Sequence, residues 1–170
     1  METDSKKPEH MTSLSGNRLV MKTHGRIAFR GKVDSLEAEF IEAQVLASQL
    51  GDKEHCGYLG EVLDFLRKLM SAEVKETPIK LPLLFGMDAE EIHRQIAEGN
   101  TFLLPSYTQG PLAARLNKLR AIVRETELLA VKVFGPEEAG EEDKPAREDI
   151  ILALNRLSST LWWLFLRHVN

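Results

Sequence analysis

Cysteine is nearly absent from this sequence: Cys56 is the only one among 170 residues. A single cysteine excludes an intrachain disulfide and also a zinc site built from several cysteines. No uninterrupted apolar stretch reaches the roughly 18 residues that a membrane-spanning helix requires. The first residues, METDSKKPEHM, carry charges but lack the apolar segment of a secretory signal. These absences predict a cytoplasmic protein that does not span a membrane.

The sequence also lacks an excess of positive charge. Its formal net charge is -4, which provides no basic surface for nucleic acid. Hydrophobic residues make up 43% and charged residues 28% of the chain, as in ordinary globular domains. A chain of this length buries about 70% of its unfolded surface, so its core needs neither a metal nor a disulfide. We expect a single domain over residues 12–170, preceded by a disordered or ligand-ordered tail over residues 1–11.

Apolar residues recur at helical spacing in five segments of the chain. Gly51 ends the first segment, Asp88 precedes the third as an N-cap, and Pro111 is well placed at the start of the fourth. Residues 12–32 contain three glycines and many basic groups, which predicts an irregular loop. No segment shows the alternation of a sheet. The fold predicted is all-α, an antiparallel five-helix bundle, with helices over residues 33–50, 55–74, 88–99, 111–134 and 147–168.

Two of these helices are apolar on more than one face. In the first, Ala38, Ile41 and Val45 form a second apolar strip opposite the strip of Leu36. In the last, apolar residues almost surround the helix axis. A helix that is apolar all round must be buried on most sides, and a monomeric bundle of five helices cannot bury each of them fully. We therefore predict a homo-oligomer with a helical interface.

The stretch LRAIVRETE places Arg120, Arg124 and Glu127 on one strip of the fourth helix. At 100° per residue this strip lies along the edge of the apolar face, so we expect it to be half-buried. A guanidinium in such a place needs an acidic partner or a bound anion. Two interpretations remain open. Either Arg124 and Glu127 form an i, i+3 ion pair with Arg120 exposed, or one guanidinium is free for an acid from another helix or for a phosphate.

Asp34 and Asn155 are two further candidates. Asp34 stands at the start of the first predicted helix, where it is either an N-cap or the acid that an arginine needs. Asn155 stands in the middle of the last helix, where asparagine is a poor helix former. We expect its amide to be buried and therefore hydrogen-bonded. Its partner is either another group of the bundle or a ligand.

Four segments, taken in order, resemble the ATP:corrinoid adenosyltransferases of the propanediol-utilisation type. GPLAARLNKLRAIVRETELLAVKVF and ILALNRLSSTLWWLF resemble the R-x-x-x-R-x-x-E and LNRLS helices of that family. TFLLPSYTQGP resembles its F-x-LPGGT turn, and TSLSGNRLVMKTHGRIAFRGKVDSLEA its TSL-x-x-G region. The ethanolamine-utilisation corrinoid adenosyltransferase is similar too, but its cysteine-rich metal motif is absent. Neither the lone cysteine nor the five histidines show ligand spacing, so we predict no metal site.

The resemblance implies a trimer of five-helix bundles with the active site between subunits. It implies that Co(I) of cobalamin attacks the ribose C5′ of ATP, giving adenosylcobalamin and triphosphate, with Mg²⁺ on the triphosphate. Arg120 would pair with Asp34 across the subunit interface. Phe102 would press below the corrin ring and displace the lower axial ligand; the alternative is a core aromatic that anchors the loop. The implied ATP-binding residues are Thr12, Ser13, Lys22, Arg124, Glu127 and Asn155, and the implied catalytic residues are Arg120, Arg124, Asp34 and Phe102.

The same resemblance implies a setting in the cell. A cobalamin-dependent lyase and a cob(II)alamin reductase are the expected protein partners. Association with a bacterial microcompartment is a further expectation within the cytoplasm.

The sequence departs from the family pattern most in the ATP loop. The family's T-x-T-G-D-x-G-x-TSL corresponds here to KKPEHMTSL, which lacks both glycines and has Pro8 in place of the aspartate. Glycines allow backbone amides to approach phosphates closely, whereas proline has no N–H to offer. Lys6 and Lys7 are candidate compensating charges. The alternative function is therefore a non-catalytic corrinoid carrier or sensor on the same bundle, and a third hypothesis is a helical interaction protein.

Overall fold

The computed structural model describes residues 7–99, 103–136 and 145–170. In chain order these residues form β1 (Met11–Ser15), β2 (Arg18–Met21), α1 (Gly25–Gln49), α2 (Lys53–Lys75), α3 (Ala89–Glu98), the 3₁₀ turn Tyr107–Gln109, α4 (Pro111–Phe134) and α5 (Glu148–Val169). α5 packs chiefly against α4 and α3, and α1 packs against α2 and α4. The described part of the chain is therefore a bundle of five helices with a small two-stranded sheet.

The core is built from the apolar stripes that the helical spacing predicts. The buried residues of α1 are Phe29, Val33, Leu36, Phe40, Ala43 and Ala47. Those of α5 come from most of its circumference and are Ile150, Ala153, Leu154, Leu157, Thr160, Leu161, Trp163, Leu164 and Phe165. α5 thus packs its buried side against α4, α3 and α2. The protomer itself buries much of the apolar surface of α5, but Leu152 stays 41% exposed. The expected homo-oligomer stays a prediction.

Local signals set the helix ends as predicted. The Asp88 carboxylate accepts a hydrogen bond of 2.8 Å from the Glu91 amide and so caps α3. Gly51 takes a φ of 75° just after α1, a conformation that favours glycine. Pro111 is the first residue of α4. Leu50, the C-cap of α1, is 51% exposed.

The N-terminal region is more regular than the sequence predicted. In place of a loop over residues 12–32, β1 and β2 form an antiparallel hairpin, and α1 begins at Gly25 rather than at residue 33. Leu14 is only 2% exposed, which anchors the hairpin on the helices. Gly16 makes the turn with a φ of 51°. The strands have five and four residues, and in the described part of the chain they pair only with each other. The alternation of so short a segment cannot be distinguished from a loop.

The tail predicted over residues 1–11 is described only from residue 7. Residues 1–6 lie outside the described residues, so the prediction stays a prediction there. The His10 carbonyl accepts a hydrogen bond of 2.9 Å from the Lys22 amide, and Met11 is the first residue of β1. Met11 thus belongs to the hairpin, and the predicted division between tail and domain stays a prediction.

The second apolar strip of α1 is uncovered in the protomer. Ile41 is 44% and Val45 52% exposed. On the neighbouring α4, Leu128 is 70% and Val131 45% exposed. Exposed apolar side chains on two packed helices are the kind of surface that oligomers cover.

Candidate functional site

Arg120 lies half-buried on α4 with an incomplete set of partners. Its guanidinium carbon is 5.0 Å from the ring centre of Trp162 on α5, a cation–π contact. Its Nε is buried and has no hydrogen-bond partner among the described residues. Burial lowers the pKa of Arg120, and the charge of Arg124 lowers it further. A buried N–H without an acceptor is costly. The site around Arg120 therefore favours an additional anionic group, which the described part of the chain does not supply.

Arg124, one helical turn further along α4, faces a cleft. The cleft has a volume of about 290 Å³ and lies between α4 and α5. Arg124 is exposed, and within the described ranges it makes no hydrogen bond or ion pair. The interpretation that Arg124 and Glu127 form an ion pair is therefore not what the structure shows. The residues lining the cleft are Arg124, Glu127, Leu128, Asn155, Ser158 and Ser159.

Asn155 and Glu127 join the two walls of this cleft. The Asn155 Nδ2 donates a hydrogen bond of 3.0 Å to the Glu127 Oε1. The Asn155 Oδ1 accepts a second bond, of 3.2 Å, from the Arg156 guanidinium. Asn155 is exposed at the cleft, so the expectation of a buried amide is wrong. The amide is nevertheless fixed by a bond across the bundle, and it also lines a space large enough for a ligand group.

Asp34 is not brought to Arg120 within the protomer. It lies well inside the length of α1, and its side chain is exposed to solvent. A ring nitrogen of His24 caps the start of the helix instead. The N-cap interpretation of Asp34 is therefore wrong. In the part of the chain that the structure describes, Asp34 has no hydrogen bond or ion pair. It is a free carboxylate on the same helix as the uncovered apolar strip.

The predicted ATP residues near the N-terminus lie on the hairpin. Thr12 pairs with Val20, and the Ser13 hydroxyl donates a hydrogen bond of 2.6 Å to the Gly16 carbonyl. Lys22 follows β2 and is exposed. Across the described ranges, no hydrogen bond or ion pair joins these residues to the α4–α5 cleft. Within one chain the predicted ATP ligands therefore form two separate groups.

Phe102 lies outside the described residues, so its role stays a prediction. The segment that follows it is closed by its own side chains. Ser106 begins the 3₁₀ turn, and its amide donates a hydrogen bond of 2.6 Å to the Gln109 Oε1. Gln109 also donates to the Leu104 carbonyl at 3.2 Å. The turn that replaces the family's PGG is thus held by polar side chains rather than by glycines.

A buried carboxylate that sequence reasoning missed supports the hairpin. Glu73 on α2 is completely buried, and it accepts bonds of 2.5 Å from the Nε atoms of both Arg26 and Arg30 on α1. Arg30 also donates to the Leu14 carbonyl of β1 at 2.8 Å. A chain of polar contacts therefore runs from the core of α2 to the strand that carries Thr12 and Ser13. The available signal was the spacing of Glu73 with Leu66 and Leu69, which puts a carboxylate on the apolar face of α2.

A larger cleft, of about 410 Å³, lies beside α3 and the end of α5. Four of its polar side chains form two bonded pairs: the Trp163 Nε1 donates to the Gln95 Oε1 at 2.9 Å, and Arg167 donates to Glu54 at 2.7 Å. Arg124 in the smaller cleft has no such partner among the described residues. Size alone therefore does not identify the site, and the α4–α5 cleft is the better candidate for binding an anion.

Comparison with known proteins identifies the family. Residues 3–168 match the family described as cobalamin adenosyltransferase, and the chain belongs to it. Corrinoid adenosyltransferase EutT of Salmonella typhimurium strain LT2 is 31% identical over 169 residues, which cover 96% of this chain and 60% of that protein. EutT of Escherichia coli strain K12 is 31% identical over 171 residues, covering 98% and 61%. The chain thus spans about 60% of the length of these relatives.

Solved structures share the fold at lower sequence identity. A PduO-type ATP:corrinoid adenosyltransferase variant from Lactobacillus reuteri, complexed with ATP, aligns with a TM-score of 0.62 at 20% identity, over 92% of this chain and 86% of that one. Another variant from Lactobacillus reuteri, complexed with cobalamin and ATP, aligns with a TM-score of 0.59 at 20% identity, over 87% and 82%. In the described part of this chain, no helix is both long and apolar enough to span a membrane.

Proposed function

We propose that this protein is a corrinoid adenosyltransferase. In the reaction, Co(I) of cobalamin attacks the ribose C5′ of ATP; a Co–C bond forms, and the C5′–O bond breaks as triphosphate leaves with the electron pair. Membership of the family supports the proposal, as do the names of the EutT relatives and the ligands of the Lactobacillus reuteri structures. The observation that carries it in this chain is Arg124, which lines the α4–α5 cleft without a protein partner among the described residues.

Arg124 is the residue that we assign to the triphosphate. A guanidinium presents a planar fork of N–H donors that matches phosphate oxygens. Asn155, held by Glu127, offers its amide from the opposite wall. Negative charge builds up on the triphosphate as it leaves, so a fixed cation beside it stabilises the transition state more than the ground state. Mg²⁺ carried on the triphosphate oxygens would neutralise further charge.

The active assembly that we propose is a homotrimer with the site between subunits. Arg120 has a buried Nε without an acceptor, and Asp34 is an exposed carboxylate without a partner among the described residues. Asp34 shares its face of α1 with the exposed Ile41 and Val45. A contact that buries this apolar strip would bring the partner subunit's Asp34 to Arg120. It would also give the apolar strip the cover that it lacks in a single protomer.

The hairpin would complete the ATP site in that assembly. Thr12 and Ser13 would meet the triphosphate through hydroxyl and backbone N–H groups, and Lys22 would add a charge. The contact between Arg30 and the Leu14 carbonyl supports this role, because it fixes β1 against α1. Phe102 would lie below the corrin ring, where displacing the lower axial ligand makes Co(II) easier to reduce.

We propose a cellular setting by analogy with the adenosyltransferases that the sequence resembles. The protein would work in the cytoplasm. A cob(II)alamin reductase would supply its reduced substrate, and a cobalamin-dependent lyase would use its product. Association with an ethanolamine-utilisation microcompartment is part of the same proposal.

A corrinoid carrier or sensor is the second candidate, and one observation favours it. The segment in place of the family's ATP loop contains Pro8, whose carbonyl accepts the Met11 amide in a turn at 3.0 Å. Proline cannot donate an N–H to a phosphate, and this segment has no glycine to bring the backbone close. Corrinoid binding would then persist without chemistry on ATP.

The deciding experiment mixes the protein with ATP, Mg²⁺ and chemically reduced cob(I)alamin and follows the visible spectrum. Formation of adenosylcobalamin at a rate proportional to protein concentration is the result expected of the enzyme. Corrinoid that remains bound without forming this product would favour the carrier. Absence of both product and binding would leave only a helical interaction protein.

A further inference from the structure

The start of α2 meets the end of α5 at three side chains that can ligate a metal. Asp52 is the N-cap of α2, His55 lies in its first turn, and His168 lies in the last turn of α5. One ligand atom from each residue lies within 4.8 Å of the other two. The sequence did not reveal this group, because His168 is far along the chain from the other two residues.

The separations between the ligand atoms suit a small cation. The Asp52 Oδ2 is 2.9 Å from the His55 Nδ1 and 3.4 Å from the His168 Nδ1. Bonds of about 2.0–2.1 Å to a tetrahedral zinc ion place neighbouring ligand atoms roughly 3.3 Å apart. Small side-chain adjustments would therefore let all three atoms reach one ion.

The contacts of the His55 ring suit a metal ligand. Its side chain is 4% exposed, and its Nε2 is 3.3 Å from the Leu164 carbonyl oxygen. Because a carbonyl only accepts hydrogen bonds, the Nε2 carries the proton, and in a neutral ring the Nδ1 presents a lone pair. An outer carbonyl partner of this kind commonly fixes the ring of a ligating histidine.

The buried Nδ1 of His55 faces the cluster without a satisfied hydrogen bond. It has no hydrogen-bond partner of acceptable geometry among the described residues, although the Asp52 Oδ2 is close. A lone pair facing a carboxylate oxygen at 2.9 Å is repelled unless a cation lies between them. The cluster thus brings together the buried His55 Nδ1, which can act as a metal ligand, a carboxylate and a second imidazole.

We propose that Asp52, His55 and His168 bind a divalent transition-metal ion of the zinc class. Two imidazoles and one carboxylate are a ligand set that zinc accepts, with a water at the fourth position. The side chains of Asp52 and His168 are 24% and 22% exposed, so the ion can enter from solvent. The ion would join the first turn of α2 to the last turn of α5. This site is separate from the α4–α5 cleft and uses none of its residues.

The test titrates Co²⁺, as a coloured substitute for zinc, into the metal-free 170-residue protein. We expect one equivalent to bind with the intense visible absorption of a four-coordinate ion, and Zn²⁺ to displace it. Losing an outer partner of a metal ligand typically costs 10–100-fold in affinity, so His168→Ala should weaken binding by about 100-fold or more. His93→Ala, which removes an exposed histidine of α3, should bind as the unaltered protein does. Equal binding by both variants, or no absorbing complex in the unaltered protein, would overturn the proposal.

A second variant separates metal binding from helix capping. Asp52→Asn keeps a good N-cap but replaces the carboxylate ligand. With Zn²⁺ at a hundredfold excess over its Kd, we expect the Tm of the unaltered protein to rise by roughly 5–10 °C and that of Asp52→Asn to rise much less. If a proton alone holds the two histidines and the carboxylate together, Zn²⁺ will leave both Tm values unchanged, and the metal site is refuted.

Discussion

The Asn155 amide on α5 donates a hydrogen bond of 3.0 Å to the Glu127 carboxylate on α4, directly beside Arg124, which has no partner among the described residues. This bond fixes the polar wall of the cleft that we assign to the triphosphate. Asn155→Asp should place two carboxylates face to face and repel the phosphates as well. We expect the KM for ATP to rise about tenfold or more, the change that ~1.4 kcal/mol of lost binding produces.

A second substitution controls for the repulsion. Glu127→Gln combined with Asn155→Asp restores a neutral partner, so part of the affinity for ATP should return. If the KM for ATP stays the same in all of these variants, Asn155 does not face the nucleotide, and its bond to Glu127 is only structural.

The proposed pairing of Arg120 with the partner subunit's Asp34 can be tested by exchanging the charges. Arg120→Asp and Asp34→Arg should each weaken the trimer, because each places like charges at the interface. The double variant should regain much of the association, measured by sedimentation equilibrium. Asp64→Arg, on an exposed part of α2, should not rescue Arg120→Asp. A double variant no better than the singles would show that the two residues do not meet.

Glu73 should contribute far more to the free energy of unfolding than the exposed Glu76. Glu73→Gln leaves the half-buried guanidiniums of Arg26 and Arg30 without their shared carboxylate. Breaking a buried pair in this way costs about 3–5 kcal/mol, seen as a lower urea midpoint. Glu76→Gln removes an exposed carboxylate that contacts the same Arg26, and it should leave the midpoint nearly unchanged. Equal effects of the two variants would contradict the role given to Glu73.

The Asp149 carboxyl should make the free energy of unfolding depend on pH. Partial burial raises the pKa of its carboxyl, but hydrogen bonds from Arg147 and the Ile79 amide outweigh this effect, so the pKa lies below its ordinary value of 3.8. A carboxyl whose pKa is lower when folded stabilises the protein above the unfolded pKa, and this contribution disappears as the pH falls through the folded pKa.

Asp149→Asn, which cannot ionise, tests that sign. We expect it to lower the free energy of unfolding by about 1–2 kcal/mol at pH 7, and the difference to shrink as the pH falls below about 4. Denaturant unfolding of both proteins across pH 3 to 7 measures it. A difference that is constant over this range would mean that the folded pKa of Asp149 is not depressed.

The sequence predicted the helical elements well, because long apolar stripes such as Phe40, Ala43 and Ala47 specify a helix whatever surrounds it. The hairpin was missed because its strands, of five and four residues, are too short to show a clear alternation. The N-cap alternative for Asp34 arose because the true start of α1 lies among basic and glycine residues that resemble a loop.

The candidate site was predictable in its residue types but not in its contacts. The spacing of Arg120 and Arg124 indicated a shared strip. Only the fold shows that Arg124 lines a cleft with no partner in the described ranges, and that Glu127 bonds to Asn155 instead. Glu73 and its arginines lie on different helices, as do His55 and His168. No local sequence pattern predicts such pairs, because only the fold brings together the helices that carry them.

The most direct test of the account measures adenosylcobalamin formation by Arg124→Ala from ATP and pre-reduced cob(I)alamin. Lys132→Ala, which removes an exposed cation from the same helix, is the matched control. We expect Arg124→Ala to lose at least about a hundredfold in kcat/KM for ATP, as removal of a charge-stabilising donor does elsewhere, with an unchanged urea midpoint, and Lys132→Ala to retain full activity. Equal activity of Arg124→Ala and the unaltered protein would contradict the claim that this guanidinium binds the triphosphate.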